Sequence, residues 1–359
     1  MNFYVVFTLL IGIVVLSGWK GKRMGFFLLI LLFFLSAFRG EKVGNDTLNY
    51  MDASSIQYRG TVLVDFSDFE IDNLGNKVEI LNNLVCKIIY ESGLNTRWII
   101  YFYSFVTFLF LVLSFKRFRV SLSYGLVFYV LLSFFFYSLT AARQLTAVSI
   151  LLYAYSYLQC QDKRRFRFFF WVIVASLIHS FSIFFIIFYF VRLLPKPSEF
   201  FGLVIFIASL LAVAVEIDFV SQLSVAMDVE HLSDYVSTYG SGERNIFGKI
   251  ESWAVVAFMY YFYYNATKQP DVNRNKVVDN LYLLSMLFYA ALTNYPGLIG
   301  RIHYDLSIIQ CVFLASYMGA GNRKVTSIEK VAYLFFVFIC MYINNGFETS
   351  LRSSYYLMF

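Results

Sequence analysis

Charge is scarce in this sequence: 14% of its 359 residues are Asp, Glu, Lys or Arg, against 59% hydrophobic and 21% aromatic. No soluble domain of this length has that balance, so a soluble reading is excluded. Cysteine is scarcer still. Cys86, Cys160, Cys311 and Cys340 have no paired spacing, and three of them lie in or at the ends of apolar runs. That excludes a disulfide framework and a cysteine zinc site. The first apolar run, from Phe3, has no basic stretch before it and no small-residue cleavage site after it. It is expected to be a retained span, not a signal peptide.

What remains is a series of apolar runs of about 15–25 residues separated by short charged stretches, the pattern of an all-α polytopic membrane protein. Ten full spans are expected, at 3–18, 24–38, 98–115, 122–139, 144–160, 201–215, 252–266, 277–293, 302–319 and 328–345. The run 168–194 is long for one span and carries Ser176, His179, Ser180 and Ser182 near its centre. It reads as two re-entrant half-helices with a turn near His179. The chain is then a single integral membrane domain, 1–359, with two long polar loops, 39–97 and 216–251. Late in the first loop, 78–90 spaces Ile80, Leu81, Leu84, Val85, Ile88 and Ile89 at helical intervals, an amphipathic helix suited to a membrane surface.

The net charge of +6 invites a nucleic-acid reading, which sorting the charges by loop removes. With the turn at His179, 18 of the 29 basic residues fall in short loops on one side, and the other 11 are scattered through long ones. The positive-inside rule then puts both termini and both long loops outside the cytoplasm. The same side receives Arg39, Arg143, Arg301 and, at partial depth, His179.

Each of these arginines stands at a helix mouth with polar company: Asp46 and Tyr50 near Arg39, Gln144 beside Arg143, and His303, Tyr304 and Asp305 after Arg301. Tyr304 is three residues beyond Arg301, so the two share a helix face. A single arginine in this position reads as a snorkelling anchor. Three on one side, with a histidine at the same depth, read as a site for an anion such as a phosphate-bearing lipid.

On these residues the sequence resembles the EpsG family of Wzy-type bacterial polysaccharide polymerases. The family's Arg then Gly-x-Asp-Thr and Tyr pattern is matched by Arg39, Gly44, Asp46, Thr47 and Tyr50. Its Arg-Gln-x-x-Ala helix start is matched by Arg143, Gln144 and Ala147. A small-residue-then-His segment is matched by Ala175, Ser176 and His179, and a late Arg-x-x-Tyr by Arg301 and Tyr304. The resemblance implies a GT-C-like integral membrane glycosyltransferase in the bacterial inner membrane. Such an enzyme joins oligosaccharide repeat units carried on undecaprenyl diphosphate, with its site facing the periplasm or cell exterior. Its partners would be the lipid-linked donor and acceptor, the bilayer, and a chain-length regulator and flippase, with no nucleic acid.

A glycosyl diphosphate already carries a good leaving group. The protein has to hold two lipids, stabilise charge on the departing diphosphate, and deprotonate or orient one hydroxyl. Arg143 and Arg301 are expected at the diphosphate, and Arg39 at a diphosphate or at Asp46. Tyr50, Gln144, His303 and Tyr304 are expected to bind substrate. His179 and Asp46 are rival bases. Arg39 should depress the Asp46 carboxyl and make it the poorer base, so His179 is preferred. No metal or other cofactor enters this scheme, and the first long loop has no Asp-x-Asp pair. An O-antigen ligase, a lipid-linked oligosaccharide flippase and a non-catalytic export partner are the competing readings.

Overall fold

The computed structural model describes residues 22–41, 43–44, 46–62, 79–160, 163–215, 246–269, 274–292 and 303–319. The spans expected at 3–18 and 328–345, the loop 216–245 and Arg301 lie outside them. Every regular element among the described residues is helical. The chain forms two compact units, one from 1–189 with 322–359 and one from 190–321.

The first unit contains α1 (Lys22–Ala37), α2 (Thr47–Met51), α3 (Ala53–Val62), α4 (Ile80–Glu91), α5 (Trp98–Phe118), α6 (Leu122–Leu131), α7 (Phe134–Thr140), α8 (Ala142–Leu158) and α9 (Arg167–Ser176). At its centre lies α8, apolar on nearly every side and buried along almost its whole length, as an all-round apolar helix must be. Its polar side chains find partners both within the helix and on neighbouring segments. Thr146 Oγ1 donates to the Ala142 carbonyl and meets Thr107 Oγ1 of α5 at 2.9 Å.

Among the described residues only α5 is long and apolar enough to cross a membrane as one straight helix. The span expected at 122–139 is not one helix. It breaks between α6 and α7, which meet at a bend of 63°. Ser133 takes the left-handed conformation there, with φ 68°, uncommon for a residue with a side chain.

The expected turn at His179 is present as a reversal of the chain. α9 ends at Ser176, and a 3₁₀ helix runs from Ser180 to Leu193. The rings of Phe169 and Tyr189 lie 4.6 Å apart. In a continuous helix those positions would stand about 30 Å apart. The reversal is tied to α4 from both directions. The backbone amides of Leu81 and Asn82, unpaired donors of the first turn of α4, donate to the Leu177 carbonyl at 2.9 and 3.4 Å. α4 itself turns Asn82, Asn83, Cys86 and Ile89 inward and Ile80, Leu84 and Ile88 outward. The apolar stripe of this helix thus faces outward, opposite its buried asparagines.

The second unit contains α10 (Glu199–Val215), α11 (Ile246–Thr267), α12 (Lys276–Leu292), α13 (Tyr304–Ser307) and α14 (Ile309–Gly319). α10 exposes Phe200, Val204, Ile207 and Leu211 as one apolar stripe. A buried ion pair joins Arg274 Nη2 to Asp279 Oδ2 at 2.9 Å. The Tyr263 phenol, which receives an Arg274 N–H, donates to the carbonyls of Pro197 and Ser198.

Candidate active site: an arginine, a glutamate and a histidine

The loop after α1 is built around two small features. Gly44 has φ +82°, and a Cβ there would lie 1.9 Å from the Leu139 carbonyl oxygen. Only glycine permits both the conformation and the approach. The loop thereby seats on the end of α7, three residues before Arg143. Thr47 secures it: its hydroxyl, oriented toward the Val43 carbonyl at 2.6 Å and the Leu139 carbonyl at 3.3 Å, accepts from Arg39 Nε at 3.1 Å.

Arg39 is fully buried. Its Nη1 donates to the Ser36 carbonyl at the end of α1, and its own carbonyl accepts from Arg97 Nη1 at 2.9 Å. The guanidinium of Arg39, expected at a diphosphate or at Asp46, is buried within the loop and braces it against α1. Asp46, half-exposed, precedes α2, and its carbonyl accepts from the Tyr50 amide at 2.9 Å. Tyr50 sets its ring edge-on to Tyr103 with centroids 5.6 Å apart. Burial pushes its phenol above the ordinary tyrosine value, with Arg143 nearby working in the opposite sense. The loop of the first motif therefore delivers Tyr50 to the neighbourhood of Arg143.

Arg143 lies in the first turn of α8. Its Nη1 donates to Glu79 Oε2 at 2.5 Å. Gln144, buried beside it, accepts from the Tyr137 hydroxyl at 3.0 Å and so closes the corner between α7 and α8.

Glu79 is the residue that sequence reasoning missed. It stands just before α4, 4% exposed. Its Oε2 takes Arg143, and its Oε1 lies 3.3 Å from His179 Nδ1 and accepts from the Ser180 amide at 3.2 Å. Burial would push this carboxyl up. The hydrogen bond from His179 and the positive charge of Arg143 outweigh that and hold it below the ordinary glutamate value. An ionised carboxylate only accepts, so the proton on this side of the imidazole sits on Nδ1. In the neutral ring Nε2 is then the basic nitrogen.

Three segments far apart in sequence thus converge through one carboxylate: the N-terminus of α8, the approach to α4 and the reversal after α9. The arrangement can orient an imidazole and keep a guanidinium fixed beside the same carboxylate, each partly exposed. The Arg143 side chain retains 20% exposure and that of His179 16%. Among the described residues no three His, Cys, Asp or Glu side chains gather where a metal ion would need them.

The remaining expected site residues belong to the second unit. His303 is largely buried, its Nδ1 2.6 Å from Ser307 Oγ and its ring 5.1 Å from that of Tyr289. The half-buried Tyr304 ring lies 5.9 Å from that of His303.

A family model described as the EpsG family matches residues 22–356, a span that includes Arg39, Glu79, Arg143, His179 and Arg301. No curated protein and no solved structure matches the chain.

Proposed function

The chain belongs to the EpsG family, whose membership points to a membrane protein of the polysaccharide-polymerase type, and from that premise we propose that it joins oligosaccharide repeat units carried on undecaprenyl diphosphate. The observation that carries the reading is the bridge by which Glu79 holds both Arg143 and His179. Glycosyl transfer from a lipid diphosphate asks for a base at the acceptor hydroxyl and fixed positive charge at the leaving group. The bridge supports both at once.

In this reading His179 Nε2 takes the proton of the acceptor hydroxyl as that oxygen attacks the anomeric carbon. Glu79 stays ionised, keeps the Nδ1 proton in place and stabilises the imidazolium that forms. Arg143 turns its remaining N–H groups to the diphosphate as the glycosidic C–O bond breaks and charge gathers on the phosphate oxygens. Arg301, His303 and Tyr304 are proposed at the second lipid-linked substrate. Gln144 and Arg39 act by position, one fixing the corner before Arg143 and the other bracing the loop that carries Tyr50. Asp46 is proposed to orient a sugar hydroxyl. No metal is required, because the leaving group is already activated. The site is proposed to face outward from a bacterial inner membrane, with a GT-C-like span arrangement and both termini outside the cytoplasm.

The test is incubation of the purified protein with one synthetic undecaprenyl-diphosphate-linked repeat unit. A ladder of longer lipid-linked products is expected. Failure to extend the unit, with transfer of long lipid-linked chains to a separate acceptor, would make the protein a ligase instead.

A further inference from the structure

Three of the arginines in the first unit are already engaged. Arg39 is bonded to Thr47 and Ser36, Arg97 to the Arg39 carbonyl and Glu41, and Arg143 to Glu79. Arg59 differs. It lies in α3 and is partly exposed. Among the described residues it makes no hydrogen bond and no ion pair.

Its position is set by Ile56, three residues earlier and on the same helix face. Ile56 is fully buried in one cluster with Cys86, Tyr103 and Ala142, and Tyr50 packs against that cluster. Ala142 is the immediate neighbour of Arg143. Gly60 holds α3 close to α4, since a Cβ there would stand 3.1 Å from the Lys87 Cα. Arg59 therefore rises from the same apolar floor that supports Arg143. The positive charges of both arginines bear on the same three side chains, Tyr50, Cys86 and Tyr103. Tyr50 packs on the same cluster, its ring edge-on to Tyr103, and its phenol, kept protonated by burial, supplies a hydroxyl donor there. A cation over an apolar cluster, with no anion of its own among the described residues, is where an incoming phosphate gains most, because a guanidinium can grip two of its oxygens in parallel.

We infer that Arg59 is a substrate-binding residue that, together with Arg143 and the Tyr50 hydroxyl, receives the diphosphate of the lipid-linked substrate. This rests on the glycosyltransferase reading above and adds to it a residue outside the family motifs. The rival anion is a carboxylate on an acidic sugar of the repeat unit, so the probe must carry no sugar.

The test is titration of undecaprenyl diphosphate into the detergent-purified full chain, for wild type, Arg59→Gln and Arg59→Lys. Melting of each protein without lipid serves as the fold control. Wild type is expected to bind. Arg59→Gln is expected to bind about tenfold or more weakly, the scale of one charge-assisted hydrogen bond, with an unchanged melting temperature. Arg59→Lys should fall between the two, because a point charge restores attraction but not the fork. Equal binding of the sugar-free lipid by wild type and Arg59→Gln would overturn the inference while leaving the polymerase reading intact. A loss confined to a repeat unit bearing an acidic sugar would also overturn it, in favour of the carboxylate. No binding of the probe by wild type would instead remove the diphosphate-lipid reading itself.

Discussion

Glu79 Oε1 and His179 Nδ1 stand 3.3 Å apart across 100 positions of sequence. With the reversal at 177–179 bonded back to the first turn of α4, this pair is held from both ends. If His179 is the base, removing either member should slow turnover by about 10²- to 10⁴-fold, the usual contribution of general acid–base catalysis. Two groups acting as one unit are not additive. The double variant Glu79→Gln with His179→Ala should be little slower than either single one, and donor binding should persist in all three. Single-turnover assays with a lipid-linked repeat unit measure this. Multiplying defects would separate the residues, and Asp46→Asn would then become the variant to pursue as the base.

The same carboxylate makes stability depend on acid. A glutamate held below its ordinary value contributes stability that is complete above about pH 4.5 and is lost as the pH falls through the folded value. Wild type should lose melting temperature on acidification below that point. Glu79→Gln should start lower and show a flatter acid limb. Melting in detergent from pH 6 to 3, in roughly half-unit steps, makes the comparison. Parallel curves would mean that Glu79 is not the linked group.

Arg143→Lys should keep its ion pair with Glu79 and fold. A lysine offers no planar fork to a phosphate. Loss of one preorganised donor to the transition state costs about 2.7–4 kcal/mol, so turnover should fall by roughly two to three orders of magnitude with modest change in donor affinity. Wild-type turnover would take Arg143 out of the chemistry and leave it as a strut for Glu79.

Two glycines with positive φ separate strain from collision. At Gly93, φ +61°, a Cβ would meet nothing within 4 Å, so Gly93→Ala should cost only the left-handed penalty of about 1–2 kcal/mol. At Gly44 the same change adds a clash with the Leu139 carbonyl. Gly44→Ala should therefore be the more destabilised by a clear margin in thermal melting, and should also lose activity, because the shifted loop carries Tyr50. Equal melting temperatures would show that the loop relaxes away from α7.

The proposed outward placement of the long loops rests on charge distribution. Single cysteines introduced at Ser67 and Ser237 should react with a membrane-impermeant reagent applied from outside the cell, and one at Asn275 should not. Labelling at Asn275 would mean that the reversal near His179 does not return the chain to the side it left.

The amino-acid sequence by itself determined the class of the molecule and drew attention to several residues of the candidate site. Scarce charge and repeated apolar runs exclude a soluble fold whatever the details. Arg39, Gly44, Thr47, Arg143 and His179 announce themselves because polar or conformationally special residues at the edges of apolar runs need a reason. At Gly44 a close approach and a positive φ leave only one residue type. The turn at His179 was legible from length and serines alone. Glu79 was not. One glutamate just before an amphipathic run looks like an ordinary helix-start charge, and only the folded chain brings Arg143 and His179 to it. Nor could the sequence separate Arg39 from Arg59. Both are single arginines in polar company, and what distinguishes them is burial and the partner each finds. The break between α6 and α7 was hidden for a related reason: Ser133 is neither glycine nor proline, and packing against the rest of the unit, not local preference, holds it at φ 68°. Pattern along the chain determines which residues must be inside; which charges meet there is decided by tertiary contacts between segments up to 100 residues apart.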